Sequence, residues 1–160
     1  MKKWWFIVLA VIVIVLIWYS VHLYRQIDAP KTSNESAAVQ VAKEQYSLRT
    51  VDNVESYHGS KAFVVIEGTT EKDGRVFVFV GPKHEVKRVK VSDGVTENDR
   101  RKEINEQESP KEWVSLKPGI EDDQVVWEAV YIDRKGHYTF DYANFKTGER
   151  YKKYSLNQDM

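Results

Sequence analysis

Hydrophobic residues follow three different patterns along the chain, and each pattern predicts a different kind of structure. Residues 4–23 form a nearly unbroken apolar run. Residues 38–46 carry apolar side chains at helical spacing, with polar residues between them. Much of the remaining chain consists of short runs rich in Val, Tyr and Phe, separated by turn residues, which is typical of β-strands. We therefore expect one long, apolar N-terminal helix, followed by a part of the chain with an α+β fold.

The first apolar run has the length of a transmembrane helix. A helix rises ~1.5 Å per residue, so about 20 apolar residues cross the ~30 Å hydrocarbon core of a bilayer. Aromatic residues stand near both ends of the run, where their rings settle at the level of the lipid headgroups. The run is longer than a signal-peptide core of roughly 7–15 residues, and no small-x-small cleavage triplet follows it. We predict a retained span that includes Trp4, Trp5, Trp18, Tyr19 and Leu23.

The orientation of this span follows from the position of the rest of the chain. Lys2 and Lys3 precede the run while Arg25 and Lys31 follow it, so the positive-inside bias is slight. Almost the whole chain follows the span, and a short N-terminal tail normally stays in the cytoplasm. We therefore predict a single-pass protein of the cell membrane, with a cytoplasmic N-terminus and an extracytoplasmic C-terminal domain.

The extracytoplasmic part shows an internal duplication. Thr32 and Glu35 stand in capping-box spacing at the start of one helix, and Thr96 and Asp99 do the same for a second. Four strand-like runs follow each helix, with a repeat period of about 60 residues. We expect each repeat to be one helix packed on one face of an antiparallel sheet. The predicted divisions are residues 1–24 for the cytoplasmic stub and span, 25–31 for a linker, 32–92 for the first repeat and 93–160 for the second.

One face of the first predicted sheet carries an unusual number of apolar residues. If Gly74 and Gly136 occupy equivalent turns, the alternation along the strands places four apolar residues on the face away from the helix. These residues are Phe63, Val65, Phe77 and Phe79. A phenylalanine left in water forgoes roughly 1.5–3 kcal/mol, so we expect this candidate interface to be covered. Either the second repeat packs there, or a partner protein docks there.

The same alignment assigns the aromatic residues of the second repeat. Tyr138, Phe140 and Tyr142 alternate with Thr139 and Asp141, so the two groups lie on opposite faces of a strand. The alignment places the three aromatic side chains beneath the second helix and Thr139 and Asp141 toward solvent. An exposed aromatic platform for carbohydrate is the alternative.

The second predicted helix, Glu97–Ser109, is very polar. Ile104 is its only strongly apolar residue. Its buried face must therefore include Val95 and the aliphatic stems of Arg101 or Lys102. We expect this helix to be short or loosely packed.

Composition and motifs offer no sign of catalysis. The 22 basic residues after the span nearly balance 24 acidic ones, so there is no long-range attraction for nucleic acid. The chain has no cysteine, and its four histidines lack a second ligand at metal-site spacing. The acidic run Glu121–Asp123 is interpreted as a soluble loop, with a cation site as the alternative. We predict no enzyme activity, no catalytic residue, no metal and no cofactor.

Four segments, together with the single N-terminal span, resemble the YpmB/TseB family over essentially the whole chain. They are Glu55–Gly59, the hairpin Phe63–Val80, Trp127–Tyr131 and Asp141–Glu149. The resemblance implies a Gram-positive, membrane-anchored protein with two tandem PepSY-like (cystatin-like) units. It further implies a regulator of cell-wall elongation that binds a class B penicillin-binding protein, a peptidoglycan transpeptidase. PepSY-like and cystatin-like folds also occur in protease inhibitors, so an inhibitor or a peptide- or glycan-binding module is the alternative.

Overall fold

The computed structural model describes residues 12–19 and 34–157. The chain divides into two compact units, residues 1–37 and residues 38–160. The second unit contains both β-sheets and therefore all of the strands described below.

In the first unit, residues 12–19 are helical, and their apolar side chains are exposed. Trp18 and Tyr19 of the predicted span belong to this segment, whereas Trp4, Trp5 and Leu23 lie outside the described residues. Within the described ranges, no helix is both long enough and apolar enough to cross a membrane.

The second unit confirms the α+β class and contains two four-stranded antiparallel sheets. Helix α1 covers residues 34–46 and helix α2 covers Glu97–Gln107. The first sheet consists of β1 (Leu48–His58), β2 (Ala62–Thr70), β3 (Gly74–Val80) and β4 (Val86–Lys90). The second sheet consists of β5 (Glu112–Glu121), β6 (Gln124–Ile132), β7 (Tyr138–Asn144) and β8 (Arg150–Leu156). In both sheets, strands that are consecutive in the chain are neighbours, so each sheet is a simple meander. One helix precedes each meander.

Helix α1 packs on one face of the first sheet. The small buried residues Ala38 and Ala42 meet Ile66, Val76 and Val78. These three residues lie on one face because side chains alternate along β2 and β3. Alanine on the helix allows close approach, and the β-branched residues supply the apolar surface of the sheet.

The opposite face of the first sheet is covered by the second sheet. The four residues of the candidate interface, Phe63, Val65, Phe77 and Phe79, are all buried, with exposed fractions of 5% or less. They share one core with Ile120, Trp127 and Phe145 of the second repeat. Phe77 meets the rings of Trp127 and Phe145 edge-on, at centroid distances of 6.0 and 6.1 Å. The structure therefore corrects the alternative in which a partner docks on these residues, because the second repeat already occupies that face.

Helix α2 lies on the face of the second sheet opposite to the predicted one. Its Ile104 packs on Ala129 and Tyr131, and Thr139 and Asp141, predicted to face solvent, are fully buried. The error is one residue of register. Ile66 pairs with Val78 and Ala129 with Asp141, so residues 63 apart are equivalent, whereas Gly74 and Gly136 are 62 apart. A slip of one residue moves every side chain to the other face.

A buried ion pair attaches α2 to its sheet. Arg100 is fully buried, and its guanidinium donates to Asp141 at 2.5 Å and to Glu103 at 2.7 Å. From β8, Arg150 also donates to Asp141, at 3.1 Å. The neighbouring Arg101 lies with its guanidinium 4.5 Å above the ring of Trp113, which packs against the same cluster as Ile104. A helix with one strongly apolar residue is thus held largely by charge.

The turns at one end of the two sheets are joined by polar contacts. The backbone N–H of Ser60 donates to Glu121 at 2.9 Å, and the amine of Lys61 donates to Asp123 at 3.1 Å. Lys87 donates to the backbone carbonyl of Asp123 at 2.7 Å. The acidic run therefore binds the first sheet, and its first residue belongs to β5. Among the described residues, no group of acidic or histidine side chains is arranged to hold a metal ion.

Beside these turns, the ring of Tyr57 lies against the backbone of Gly119. A Cβ at position 119 would stand 2.2 Å from a ring carbon of Tyr57, which is itself fully buried. Only glycine allows the first sheet to approach β5 this closely.

We expect Gly119→Ala to reduce the free energy of unfolding by about 1–3 kcal/mol, because the added methyl group overlaps a buried ring. The measurement is denaturant unfolding of the variant and of Gly119→Ala in a Tyr57→Ala background. Removing the ring should abolish most of the cost of the methyl group. An equal cost in both backgrounds would contradict this account of the junction.

Candidate functional site on the second sheet

The second sheet has one face on which neither described helix packs. Helix α1 packs on the first sheet, whereas α2 and the first sheet share the opposite face of the second. Tyr138, Phe140 and Tyr142 of β7 pair with Leu156, Tyr154 and Lys152 of β8. We call the surface formed by the apolar members of these pairs the aromatic face: Tyr138, Phe140, Tyr142, Tyr154 and Leu156.

The rings of the aromatic face pack against one another. Tyr154 stacks on Phe140 at a centroid distance of 5.0 Å and on Tyr142 at 6.2 Å, with interplanar angles of 14° and 21°. Leu156, at the end of β8, is 54% exposed, and Tyr154 is 39% exposed. A sugar binds aromatic residues by laying its C–H groups on an open ring face, and here the ring faces are turned toward each other. The arrangement suits contact with protein side chains better than contact with glycan.

A row of polar residues crosses the sheet beside the stacked rings. Lys117, Glu128, Tyr142 and Lys152 are partners on four neighbouring strands. The amine of Lys152 lies 5.6 Å from the ring centroid of Tyr142 and 3.2 Å from the carboxylate of Glu121. A cation over an aromatic ring is attracted by the electrons of the ring face. Lys152 is thus fixed against the aromatic face although its strand is exposed.

Burial changes the acid–base properties of this row. Burial raises the pKa of the Glu128 carboxyl, even though the amine of Lys117 lies 3.9 Å away. Burial also raises the pKa of Tyr142, as do its contacts with Tyr154 and Glu128. The raised pKa keeps Tyr142 protonated at neutral pH, and burial makes the ionised form of Glu128 less favourable than it is in water.

Sequence reasoning considered these aromatic residues but assigned them to the core beneath α2. The face assignment failed because the glycine has a different position in two hairpins of equal length: Gly74 pairs with Thr70 at the start of β3, whereas Gly136 lies within its turn, one residue before His137. The backbone N–H of Asp133 donates to the carbonyl of His137. This pair is equivalent to Thr70 and Gly74 in the first sheet. A signal was present in the sequence: β7 carries Asp141, and the arginine that pairs with it, Arg100, stands in a helix almost without apolar residues.

Comparison with known proteins gives three consistent matches. The family model described as the cell wall elongation regulator TseB-like domain matches residues 37–81. The protein named probable cell wall elongation regulator TseB, from Bacillus subtilis (strain 168), is 26% identical over 145 residues, covering 89% of this chain and 90% of that protein. The solved structure titled YpmB protein from Bacillus subtilis matches with a TM-score of 0.69 and 26% identity, covering 76% of this chain and 96% of that chain. All three matches support the TseB/YpmB-like family.

The match to the TseB-like family model and the aromatic face fall in different parts of the chain. The model spans α1 to β3, whereas the aromatic face lies on β7 and β8. The support for the candidate site therefore comes from the structure of the second sheet and not from the match to the family model.

We expect Glu128→Gln to raise the melting temperature at pH 7. Because burial raises the pKa of Glu128 in the fold, stability from this group is fully present below its ordinary pKa of 4.5 and is lost as pH rises through the raised value. Glutamine cannot ionise, so the melting temperature of the variant should exceed that of the native protein at pH 7. This difference should disappear near pH 4. Thermal unfolding at both pH values measures this, with exposed Glu112→Gln as the control. An equal change at both pH values would contradict the assignment.

Proposed function

We propose that this chain is a non-enzymatic regulator of cell-wall elongation, anchored in the cell membrane by one N-terminal span. The supporting observation is its likeness, over 89% of its length, to a protein named as a probable regulator of that process. The helical residues 12–19 add support, because apolar side chains are exposed along this segment. A helix that is apolar all round suits hydrocarbon better than water.

The proposal places the N-terminus in the cytoplasm and residues 25–160 outside the membrane. We interpret the two sheets with their helices as tandem PepSY-like units, of which the first packs on the second. Because the sheets share one buried core, they cannot turn independently of each other. The domain would then present its surfaces to a membrane-bound partner at fixed angles.

The proposed partner is a class B penicillin-binding protein, and the aromatic face is its docking surface. Interface centres are enriched in tyrosine, phenylalanine and other aromatic residues, and their energy comes from a few such side chains. Tyr154 and Leu156 are exposed, and the amine of Lys152 lies 5.5 Å from the ring centroid of Tyr154. The stacking of Tyr154 on Phe140 reduces the conformational entropy lost on binding, because the ring is already ordered.

We expect Tyr154→Asp combined with Leu156→Asp to abolish capture of the transpeptidase in living cells. Two charges at the centre of an apolar contact oppose its desolvation. The measurement uses a photo-cross-linking amino acid at Tyr138, followed by identification of the captured protein. Because both residues are exposed, stability should fall by no more than about 1 kcal/mol, mainly from the lost ring stack.

Val114→Asp provides the matched control, since Val114 is 46% exposed on β5, at the opposite edge of the sheet. This variant should still capture the transpeptidase. Capture of a protease would instead favour an inhibitor, and capture of wall glycan alone would favour a glycan-binding module. Equal capture by the control and the double variant would overturn the docking surface.

We expect a reporter that is active only outside the cytoplasm to be active when joined after Met160. The physical reason is that the apolar run is long enough to span the bilayer, with the rest of the chain following it. Mass spectrometry of the purified protein should recover peptides that contain Trp4. A secreted chain that begins near Asp28 would show that the run is a cleaved signal peptide.

A further inference from the structure

Strand β8 forms one edge of the second sheet and pairs only with β7 among the described strands. All seven of its residues are exposed. In the described part of the second unit, the exposed large apolar side chains are those of Val114, Tyr151, Tyr154 and Leu156. All of these except Val114 belong to β8. An exposed edge strand that carries apolar side chains is a template for pairing with a strand of another chain.

The other three edge strands are protected against such pairing. Strand β1 has two breaks in register, and β5 has one break together with Pro118, whose nitrogen carries no hydrogen to donate. Strand β4 has only five residues, and three of them are basic. In β8, by contrast, the break in register lies near its start, and the five residues from Lys152 to Leu156 keep a regular register with β7.

The backbone of β8 can form a further row of hydrogen bonds. Along a strand, the N–H and C=O groups of successive residues point alternately to the two sides. One set bonds to β7, and the other set points out of the sheet. A strand placed beside β8 would pair this second set, as in β-strand addition, in which main-chain hydrogen bonds supply the affinity.

Two lysines on β8 would oppose such pairing if they were free, because charged side chains keep sheet edges apart. Each of them is already held by a carboxylate of its own chain. The amine of Lys152 lies 3.2 Å from Glu121, and that of Lys153 lies 2.6 Å from Glu108. Glu121 belongs to β5 and Glu108 follows α2, so the two amines are drawn over the faces of the sheet rather than beyond its edge. The edge of β8 is therefore not shielded by free charge.

We propose that two copies of this chain pair along β8 in antiparallel direction, with Tyr154 on the two-fold axis. The two four-stranded sheets then form one sheet of eight strands. Because a two-fold axis perpendicular to the sheet brings the same faces together, one residue of β8 must lie on the axis. Tyr154 is the centre of the regular stretch from Lys152 to Leu156, so this register uses all of that stretch.

The positions of the charges favour this register. Tyr154 lies opposite its own copy, and the flanking pairs are Lys152 with Leu156 and Lys153 with Ser155. An axis at Lys152 or at Lys153 would place two lysines directly opposite each other, which destabilises a strand pair. The pairing continues the aromatic face from one copy to the other, and it does not depend on the proposed transpeptidase.

The test uses cysteine cross-linking, because the chain has no cysteine of its own. Cells that express a full-length single-cysteine variant are oxidised, and the products are separated without reductant. Directly opposite Cα atoms of an antiparallel pair are about 4.5–5.5 Å apart, which is within the range of a disulfide. We expect Tyr154→Cys to form a disulfide-linked dimer in a yield about fivefold higher, or more, than Lys153→Cys, whose copies would lie roughly 8 Å apart.

Lys152→Cys and Leu156→Cys should each fail to cross-link alone but should link to each other when coexpressed, and these chains keep Tyr154. Val114→Cys, exposed on the opposite edge strand β5, is the matched control and should not cross-link. Similar yields at every position, or the highest yield at Lys153, would overturn the proposal. So would a photo-cross-linking amino acid at Leu156 that captures a different protein and no second copy.

Discussion

The packing of the first sheet on the second is the contact on which the rest of the structure depends. Phe77 and Phe79 of β3 point away from α1 and are buried against Trp127 and Phe145. A sheet with one apolar face needs one cover, whereas the first sheet has two apolar faces and needs two. Helix α1 supplies one cover and the second sheet supplies the other. The two repeats consequently form a single body.

This contact makes the two repeats unequal. One face of the second sheet is divided between the first sheet, near Trp127, and α2, near Tyr131. A helix that covers only part of a face buries little apolar surface, and α2 accordingly has Ile104 and a buried ion pair between Arg100 and Asp141. Removing one partner from such a pair leaves an uncompensated buried charge, so the pair fixes the helix in one position. Neither described helix packs on the other face of the second sheet, which carries the aromatic face.

The cation beside the aromatic face is held in place by neighbouring groups. Lys152 lies against the rings of Tyr142 and Tyr154. Side chains ordered in advance lose less conformational entropy when a partner binds. Glu128, by contrast, is buried with a raised pKa, which costs stability at neutral pH.

Patterns local in sequence were sufficient to predict the strands, the helices and the cap of α2 by Thr96. The hydroxyl of Thr96 accepts from the backbone N–H of Asp99, as the capping-box spacing indicates. Such features involve residues close in sequence, so period, propensity and turn chemistry determine them. The apolar character of Phe63 and Phe77 likewise predicted that their face is covered.

Which surface covers each face was decided only by the tertiary structure. Which face of β7 is buried beneath α2 depends on the register of the hairpin after Asp133. A shift of one residue would place Tyr142 there instead of Asp141. Burial of Asp141 with Arg100 fixes this face, and the fit of Tyr57 on Gly119 fixes the approach of the two sheets; these contacts join residues 41 and 62 positions apart. The sequence alone determined what each strand could bury. The long-range contacts determined which element packs on each sheet face.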